Sequence, residues 1–98
     1  MADQVAKLNQ LVSWTPAATE DTLTCSDISP GIRSGIQIDV DGFDLADAAV
    51  TAINSVGASI TLSTTGMGKT AILGEGFALS SIIISGLAAG TYPVRIGQ

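Results

Sequence analysis

LSSIIISGLAAGTYPVRI, residues 79–96, is the part of the sequence that points most directly to the architecture of this chain. It contains two strand-like runs, Leu79–Ser85 and Thr91–Ile96, joined by a short link that includes two glycines. Ile, Val, Tyr and Thr favour the half-buried surface of a sheet, and a short glycine-containing link between two such runs indicates a connection between strands. The sequence therefore predicts a β-rich domain built around these two strands.

The first of the two runs is apolar on both faces. Ile82 and Ile84 share one face and Ile83 lies on the other, a pattern typical of a strand that is central in a sheet or enclosed between layers. Left exposed, such a strand would promote aggregation. We therefore expect these three isoleucines to be covered, and they are part of a candidate interface with other subunits.

Further strands are predicted from short alternating or β-branched runs at 22–25, 35–40, 58–64 and 69–73. Apolar spacings of three and four residues predict two short helices, at 3–12 and 44–56. Asp44 is placed to cap the second helix, and a strand over Ala49–Ile53 remains the alternative because this segment contains β-branched residues. The predicted fold is mainly β: a small sandwich or barrel-like domain with one or two short helices.

Residues 1–21 are predicted to form an N-terminal helix and arm, followed by a single β-rich domain over residues 22–98. The helix is too short to be stable alone, so it must dock on something. Two interpretations remain open: the segment closes the core of its own domain, or it reaches a neighbouring subunit. In the second interpretation, Leu8, Leu11 and Trp14 belong to the candidate interface.

The composition narrows the possible partners. The chain has 98 residues, of which 46% are hydrophobic and only 4% aromatic, so one compact domain with an aliphatic core is expected. Charged residues make up 13%, about half the usual share, and the net charge of −5 argues against nucleic acid and anionic membranes as partners. Residues 48–68 and 76–94 carry no charge. A surface of Ser, Thr, Gly and Ala is suited to packing against neighbours.

Motifs for catalysis or cofactor binding are incomplete. Gly66–Thr70 is similar to the end of a phosphate-binding loop, but Ser63 stands where the first glycine is needed. Cys25 is the only cysteine and the chain has no histidine, so neither an internal disulfide nor a Cys–His catalytic pair can form. Cys25 is expected to be a small buried residue. No catalytic residue, no cofactor and no enzyme activity are predicted.

An acidic cluster lies around Gly42 and consists of Asp39, Asp41, Asp44 and Asp47. An EF-hand loop starting at Asp39 would need glycine at its sixth position and glutamate at its twelfth, and the sequence has Asp44 and Val50 there. The simplest interpretation is a turn and a helix N-cap on a solvated surface. A looser calcium site formed by Asp39, Asp41 and Asp44 is the alternative.

The sequence Leu87-Ala88-Ala89-Gly90-Thr91-Tyr92 resembles the L-x-x-G-x-Y corner of fibronectin type III and other immunoglobulin-like sandwiches. The resemblance implies that the Tyr92 hydroxyl bonds back to the backbone at the turn between sheets, with Leu87 and Gly90 completing the corner. It also implies that Thr91–Ile96 is a penultimate strand, yet the sequence ends at Gln98 without room for a last one. Either a partner supplies that edge or the topology differs.

A second resemblance is to a short motif of flagellin and hook-associated proteins, in which a helix ending in Ile-Asn lies between two strands. Here the strands would be Ile36–Val40 and Ala58–Leu62, and the helix would end at Ile53-Asn54. Both resemblances imply extracellular-type structural modules, whereas the N-terminus has no signal peptide and no run approaches the ~20 apolar residues of a membrane span. That combination is typical of virion proteins, which assemble in the host cytoplasm.

The chain thus resembles a bacteriophage virion structural protein of the head decoration or cement type. The resemblance implies a non-enzymatic protein that binds the major capsid protein or other virion subunits and stabilises subunit joints as a homo-oligomer, with a trimer favoured. Deleting residues 1–16 is then expected to abolish particle binding while the domain stays folded. The alternative is a tail, fibre or adhesin-type module that recognises a carbohydrate or protein receptor.

Overall fold

The computed structural model describes residues 3–98 and has the mainly β, sandwich-like fold predicted from the sequence. Its strands are β1 (Gln4–Val5), β2 (Leu11–Trp14), β3 (Leu23–Cys25), β4 (Ile36–Val40), β5 (Ala49–Asn54), β6 (Ser59–Leu62), β7 (Thr70–Leu73), β8 (Leu79–Ser85) and β9 (Tyr92–Gly97). One short 3-10 helix, Leu45–Asp47, lies between β4 and β5. The strands predicted within residues 22–98 are therefore confirmed, to within one or two residues at their ends.

The strands form two sheets. The first sheet has five strands in the order β1-β3-β8-β5-β6, and the second has four in the order β2-β9-β4-β7. Because β8 and β9 belong to different sheets, the glycine-containing link between them carries the chain from one sheet to the other. Strand β2 pairs with β9 on the side opposite β4, so an N-terminal strand fills the place where an immunoglobulin-like sandwich has its last strand.

The core lies between the inner faces of the two sheets. Its largest fully buried apolar side chains are Trp14, Leu23, Ile36, Ile38, Leu45, Leu79, Ile82, Ile84, Ile96, Val50 and Val94. Each contributes about 1.5–3 kcal/mol through removal of its apolar surface from water. Trp14 packs against Phe43 and Tyr92, with ring centroids 6.5 and 6.2 Å away, so an aromatic cluster joins β2, β9 and the turn after β4.

The predicted helix at 3–12 is wrong, because this segment forms β1 and β2. Asn9, with φ of 64°, turns the chain between the two strands, and Asn tolerates this left-handed conformation better than most residues. The apolar residues that suggested a helix do not share a face, since Leu8 packs on the core whereas Leu11 is 72% exposed. Strand β1 pairs with β3 and β2 with β9, so both belong to the sandwich.

The predicted helix at 44–56 is also wrong beyond its first turn, Leu45–Asp47, and β5 takes the strand alternative. Val50 and Ala52 face the core while the residues beside them face outward, so the apolar period is two. Strand β5 pairs with β8 on one side and β6 on the other, which supplies the backbone bonds that a helix would otherwise provide. Across residues 3–98, no helix has the length and apolar character needed to cross a membrane.

Candidate interaction surface

The strands of the first sheet contain no charged residue, although the whole chain has a net charge of −5. In the second sheet, by contrast, Asp39 lies on β4 and Arg95 on β9, and Lys69 directly precedes β7. Burying a charged group costs far more free energy than burying a hydroxyl or a methyl group. The outer face of the first sheet is therefore the candidate interaction surface of this fold.

A row of cross-strand neighbours crosses this outer face. The strand register places five side chains side by side in the order Val5, Thr24, Ile83, Thr51 and Thr61. The three central side chains are half-buried and the two at the ends are exposed. Adjacent outward positions carry Ala49, Ile53, Ser59, Ser81 and Ser85. These ten residues together are called the uncharged face.

The residues predicted to form an interface are separated by the fold. Ile83 lies at the centre of the uncharged face, Leu11 is exposed on the outer face of β2, and Leu8 packs against the core with part of its surface exposed. The fully buried members are Trp14, Ile82 and Ile84. These three belong to the core, because the second sheet covers the inner side of β8 and Trp14 ends β2 facing inward. A contact on the surface of this fold cannot use them.

The acidic residues do not assemble into a calcium site. Asp39 lies on β4 beside Arg95, and Asp41 pairs with Lys69, with 3.5 Å between Oδ1 and Nζ. Asp44 precedes the 3-10 helix and makes no side-chain capping bond. Among residues 3–98, no three acidic, cysteine or histidine side chains are grouped so that they could hold a metal ion.

Cys25 is buried, as predicted, at the end of β3. Its Sγ donates a hydrogen bond to Asp27 Oδ1 at 3.1 Å, and the Asp27 carboxylate also accepts the backbone N–H of Leu8. Burial, then the hydrogen bond and charge of Asp27, raise the pKa of the Cys25 thiol to about 12. The thiol is therefore neutral near pH 7 and a poor nucleophile.

An open cleft of about 280 Å³ lies beside this pair. Its lining residues are Val5, Ala6, Lys7, Ser26 and Asp27. Ligand pockets usually have ~300–1,000 Å³ and enclose most of their ligand, so this shallow cleft is not a convincing small-molecule site.

The corner implied by the resemblance is present in the structure. The Tyr92 hydroxyl donates a hydrogen bond to the backbone oxygen of Ala88 at 3.1 Å, at the point where the chain enters β9. Leu87 is buried beneath the corner. A Cβ atom at Gly90 would lie only 2.9 Å from the Tyr92 hydroxyl oxygen, so a larger residue at this position would have to displace the tyrosine ring. The corner thus joins the two sheets through backbone and ring contacts.

No protein-family model, no curated protein and no solved structure matches this chain. The fold, the Tyr92 corner and the uncharged face are therefore the observations from which a function can be proposed. The sequence showed the uncharged stretches 48–68 and 76–94, but their juxtaposition depends on the order of β8, β5 and β6 in the sheet. Strands β1 and β3 lie outside both stretches, and no sequence signal connected them to this face.

Proposed function

We propose that this protein is a non-enzymatic structural subunit that packs its uncharged face against a neighbouring subunit of a large particle. The particle suggested by the sequence is a bacteriophage head, where the protein would be a decoration or cement subunit bound to the major capsid protein. The observation that carries the proposal is that the strands of the first sheet contain no charged residue.

The uncharged face combines an apolar centre with hydroxyl groups. Ile83 is half-buried in the free chain, and a partner would remove its remaining apolar surface from water at about 25 cal/mol per Å². Thr24 and Thr51, on either side of Ile83, can bond to partner groups or to bridging water, so covering them costs little. The face can thus be buried without leaving a charge unpaired.

The charged residues outside this face also favour one orientation. The net charge of −5 is carried by the segments between strands, because Asp39 and Arg95 of the second sheet cancel each other, and like charges on neighbouring subunits repel each other. Approach through the first sheet avoids this repulsion and leaves the carboxylates in water. The proposed mechanism is therefore burial of the uncharged face at a subunit joint, with the charged surface pointing away from the particle.

The fold changes how the N-terminal segment can be tested. Trp14 is fully buried and β2 pairs with β9, so deleting residues 1–16 would remove a core side chain and an edge strand. Loss of particle binding by such a truncation would then report unfolding and not loss of an arm. Single substitutions on the outer face of a sheet are the appropriate test.

The test compares Thr51→Lys with Thr70→Lys. Both substitutions add one positive charge, but Thr51 lies in the uncharged face while Thr70 lies beside Asp39 on the outer side of the second sheet. Native lysate is sedimented, and the fraction of each variant that migrates with megadalton particles is measured against wild type. We expect Thr51→Lys to abolish co-sedimentation and Thr70→Lys to retain it.

Matching urea midpoints of the two variants confirm that both remain folded. Equal binding by both variants would contradict the use of the uncharged face. Migration of the wild-type protein only as a free species of one to a few copies would contradict the particle proposal itself.

A further inference from the structure

We propose that the free edge of β6 pairs in antiparallel fashion with β6 of a second copy of this chain, joining two first sheets into one continuous sheet. This inference does not depend on the uncharged face or on any particle. It rests on a comparison of the four sheet edges and on the sequence of β6 itself.

Two edges of the sandwich are poorly suited to pairing with a further strand. Strand β1 is only two residues long, and short edge strands are poor templates for pairing. On β2, the side-chain amide of Gln4 takes the place of a neighbouring strand. Its Nε2 donates to Ser13 O at 3.0 Å and its Oε1 accepts from Thr15 N at 2.6 Å. A further strand could therefore pair with this end of β2 only by displacing the Gln4 amide.

The edge at β7 is protected by charge. Lys69 directly precedes this strand and pairs with Asp41, and both side chains are more than half exposed. Charged side chains, lysine above all, are a common means of preventing edge-to-edge association. Strand β6 has no such protection, since residues 48–68 carry no charge and no side chain among residues 3–98 donates to or accepts from its backbone.

The pairing of β6 with β5 determines which backbone groups face the open edge. Asn54 N donates to Ala58 O at 2.9 Å, and residues of an antiparallel pair alternate between bonded and non-bonded positions. Ile60 therefore bonds to β5, whereas Ser59 and Thr61 direct their N–H and C=O groups toward solvent. These are the donors and acceptors that a further strand would bond.

The sequence of β6 is self-complementary about Thr61. Ser59-Ile60-Thr61-Leu62-Ser63 reads hydroxyl, aliphatic, hydroxyl, aliphatic, hydroxyl in both directions. A two-fold axis at Thr61 would place the two Thr61 residues opposite each other and Ser59 opposite Ser63. Ile60 would then lie opposite Leu62 of the second copy. This contact would cover Ile60, which is 46% exposed on the side of the sheet that Ala52 also faces.

A second copy fits this edge better than an unrelated strand for a further reason. Two chains of net charge −5 repel each other over most of their surface, and β6 lies at the centre of an uncharged stretch. Pairing of four or five residues covers less than the ~1,200–2,000 Å² of a standard stable interface. The dimer is therefore expected to dissociate reversibly in the micromolar range or above.

Sedimentation equilibrium of the purified chain tests the proposal, with Thr61→Pro compared with Thr70→Pro. Proline removes an N–H donor and is tolerated on edge strands where that N–H faces solvent. Val40 N donates to Lys69 O at 2.8 Å, so the same alternation directs the Thr70 N–H to the open edge of β7. The two variants thus carry the same substitution at equivalent positions on different edges.

We expect wild type and Thr70→Pro to form a concentration-dependent dimer and Thr61→Pro to dimerise at least about tenfold more weakly, because two symmetry-related bonds are lost. A monomeric wild type at all concentrations, equal dimerisation by both proline variants, or a trimer that persists in Thr61→Pro would overturn the proposal. The experiment uses no particle, so its failure is separate from failure of the proposed function.

Disulfide trapping tests the register. In a Cys25→Ala background, Thr61→Cys places two thiols across the axis at a separation that permits a disulfide, whereas Ser59→Cys places each thiol opposite Ser63. Both positions are exposed, so Ser59→Cys measures random collision. Mild oxidation should yield covalent dimer from Thr61→Cys well above this background. Equal yields from the two variants would rule out the register centred on Thr61.

Discussion

The Tyr92 hydroxyl makes the one side-chain hydrogen bond of the corner between β8 and β9, and its contribution can be measured directly. Replacing it with phenylalanine keeps the ring against Phe43, 5.3 Å between centroids, and removes only the bond to Ala88 O. A hydrogen bond of this kind contributes about 0.5–1.5 kcal/mol. We expect Tyr92→Phe to lower the free energy of unfolding by that amount, measured by urea titration with the fluorescence of Trp14, the lone tryptophan.

Substitution of Gly90 tests the geometry of the same corner. Gly90→Ala would bring a Cβ atom 3.0 Å from Cζ of Tyr92, which must displace the ring from the aromatic cluster. The expected loss therefore exceeds that of Tyr92→Phe. Gly68→Ala is the control, because nothing lies within 4 Å of a Cβ at that position. Equal stabilities for the two alanine variants would show that the ring does not depend on Gly90.

Cys25 makes the stability of the fold sensitive to alkaline pH. Burial, then the hydrogen bond and charge of Asp27, raise the pKa of its thiol to about 12, above the ordinary value that applies in the unfolded chain. The unfolded state therefore loses its proton first. The stabilisation is complete below the ordinary thiol pKa and is lost as pH rises toward 12.

We expect the urea midpoint of wild type to fall more steeply than that of Cys25→Ala between neutral pH and pH 11. The difference between the two proteins isolates the contribution of the thiol, because they differ only at this residue. Parallel pH profiles would contradict the assigned pKa.

Strands were predicted more reliably than helices. The alternation of a strand can be recognised within a few residues, whereas the 3.6-residue period of a helix needs a longer segment. Ile82 to Ile84 and the alternation in β4 specify strands in a few residues. In β5, alanines at helical spacing hid the period of two that places Val50 and Ala52 on the same face. In residues 3–12, four apolar side chains fitted a helix by spacing alone, and only pairing with β3 and β9 showed that they are strands. Such pairing is non-local and carries no signature in the segment itself.

A single side chain, that of Gln4, stabilises the edge of the sandwich formed by β1 and β2. Its amide bonds Ser13 O and Thr15 N, so it holds β1 against β2 across the edge of the sandwich. We expect Gln4→Ala to cost about 1–2 kcal/mol of unfolding free energy, since two bonds are lost. Amide hydrogen exchange should accelerate at Thr15 in particular. Gln10→Ala serves as the control because its side chain is exposed, and accelerated exchange in that variant would remove the specific role of Gln4.

The distribution of charge is a property of the whole molecule that no single segment reveals. Uncharged stretches were visible at 48–68 and 76–94, but the five strands without charge are brought together by their order in the sheet. The predicted interface residues Trp14, Ile82 and Ile84 illustrate the same limit, because an apolar residue suited to an interface is equally suited to a core. The face of the sheet decides which of the two it joins: Ile82 and Ile84 face the second sheet, whereas Ile83 between them faces outward.

Binding to the particle is expected to be insensitive to salt, because the uncharged face carries no charged residue. Binding through charged groups weakens as the screening length shortens from about 10 Å at 0.1 M to about 3 Å at 1 M ionic strength, whereas burial of Ile83 and threonine side chains does not. We therefore expect the particle-bound fraction of wild-type protein to stay constant from low to high sodium chloride. Chloride is preferred to sulfate, which would itself strengthen apolar contacts. Release at high salt would instead implicate a charged surface such as that around Asp39 and Arg95.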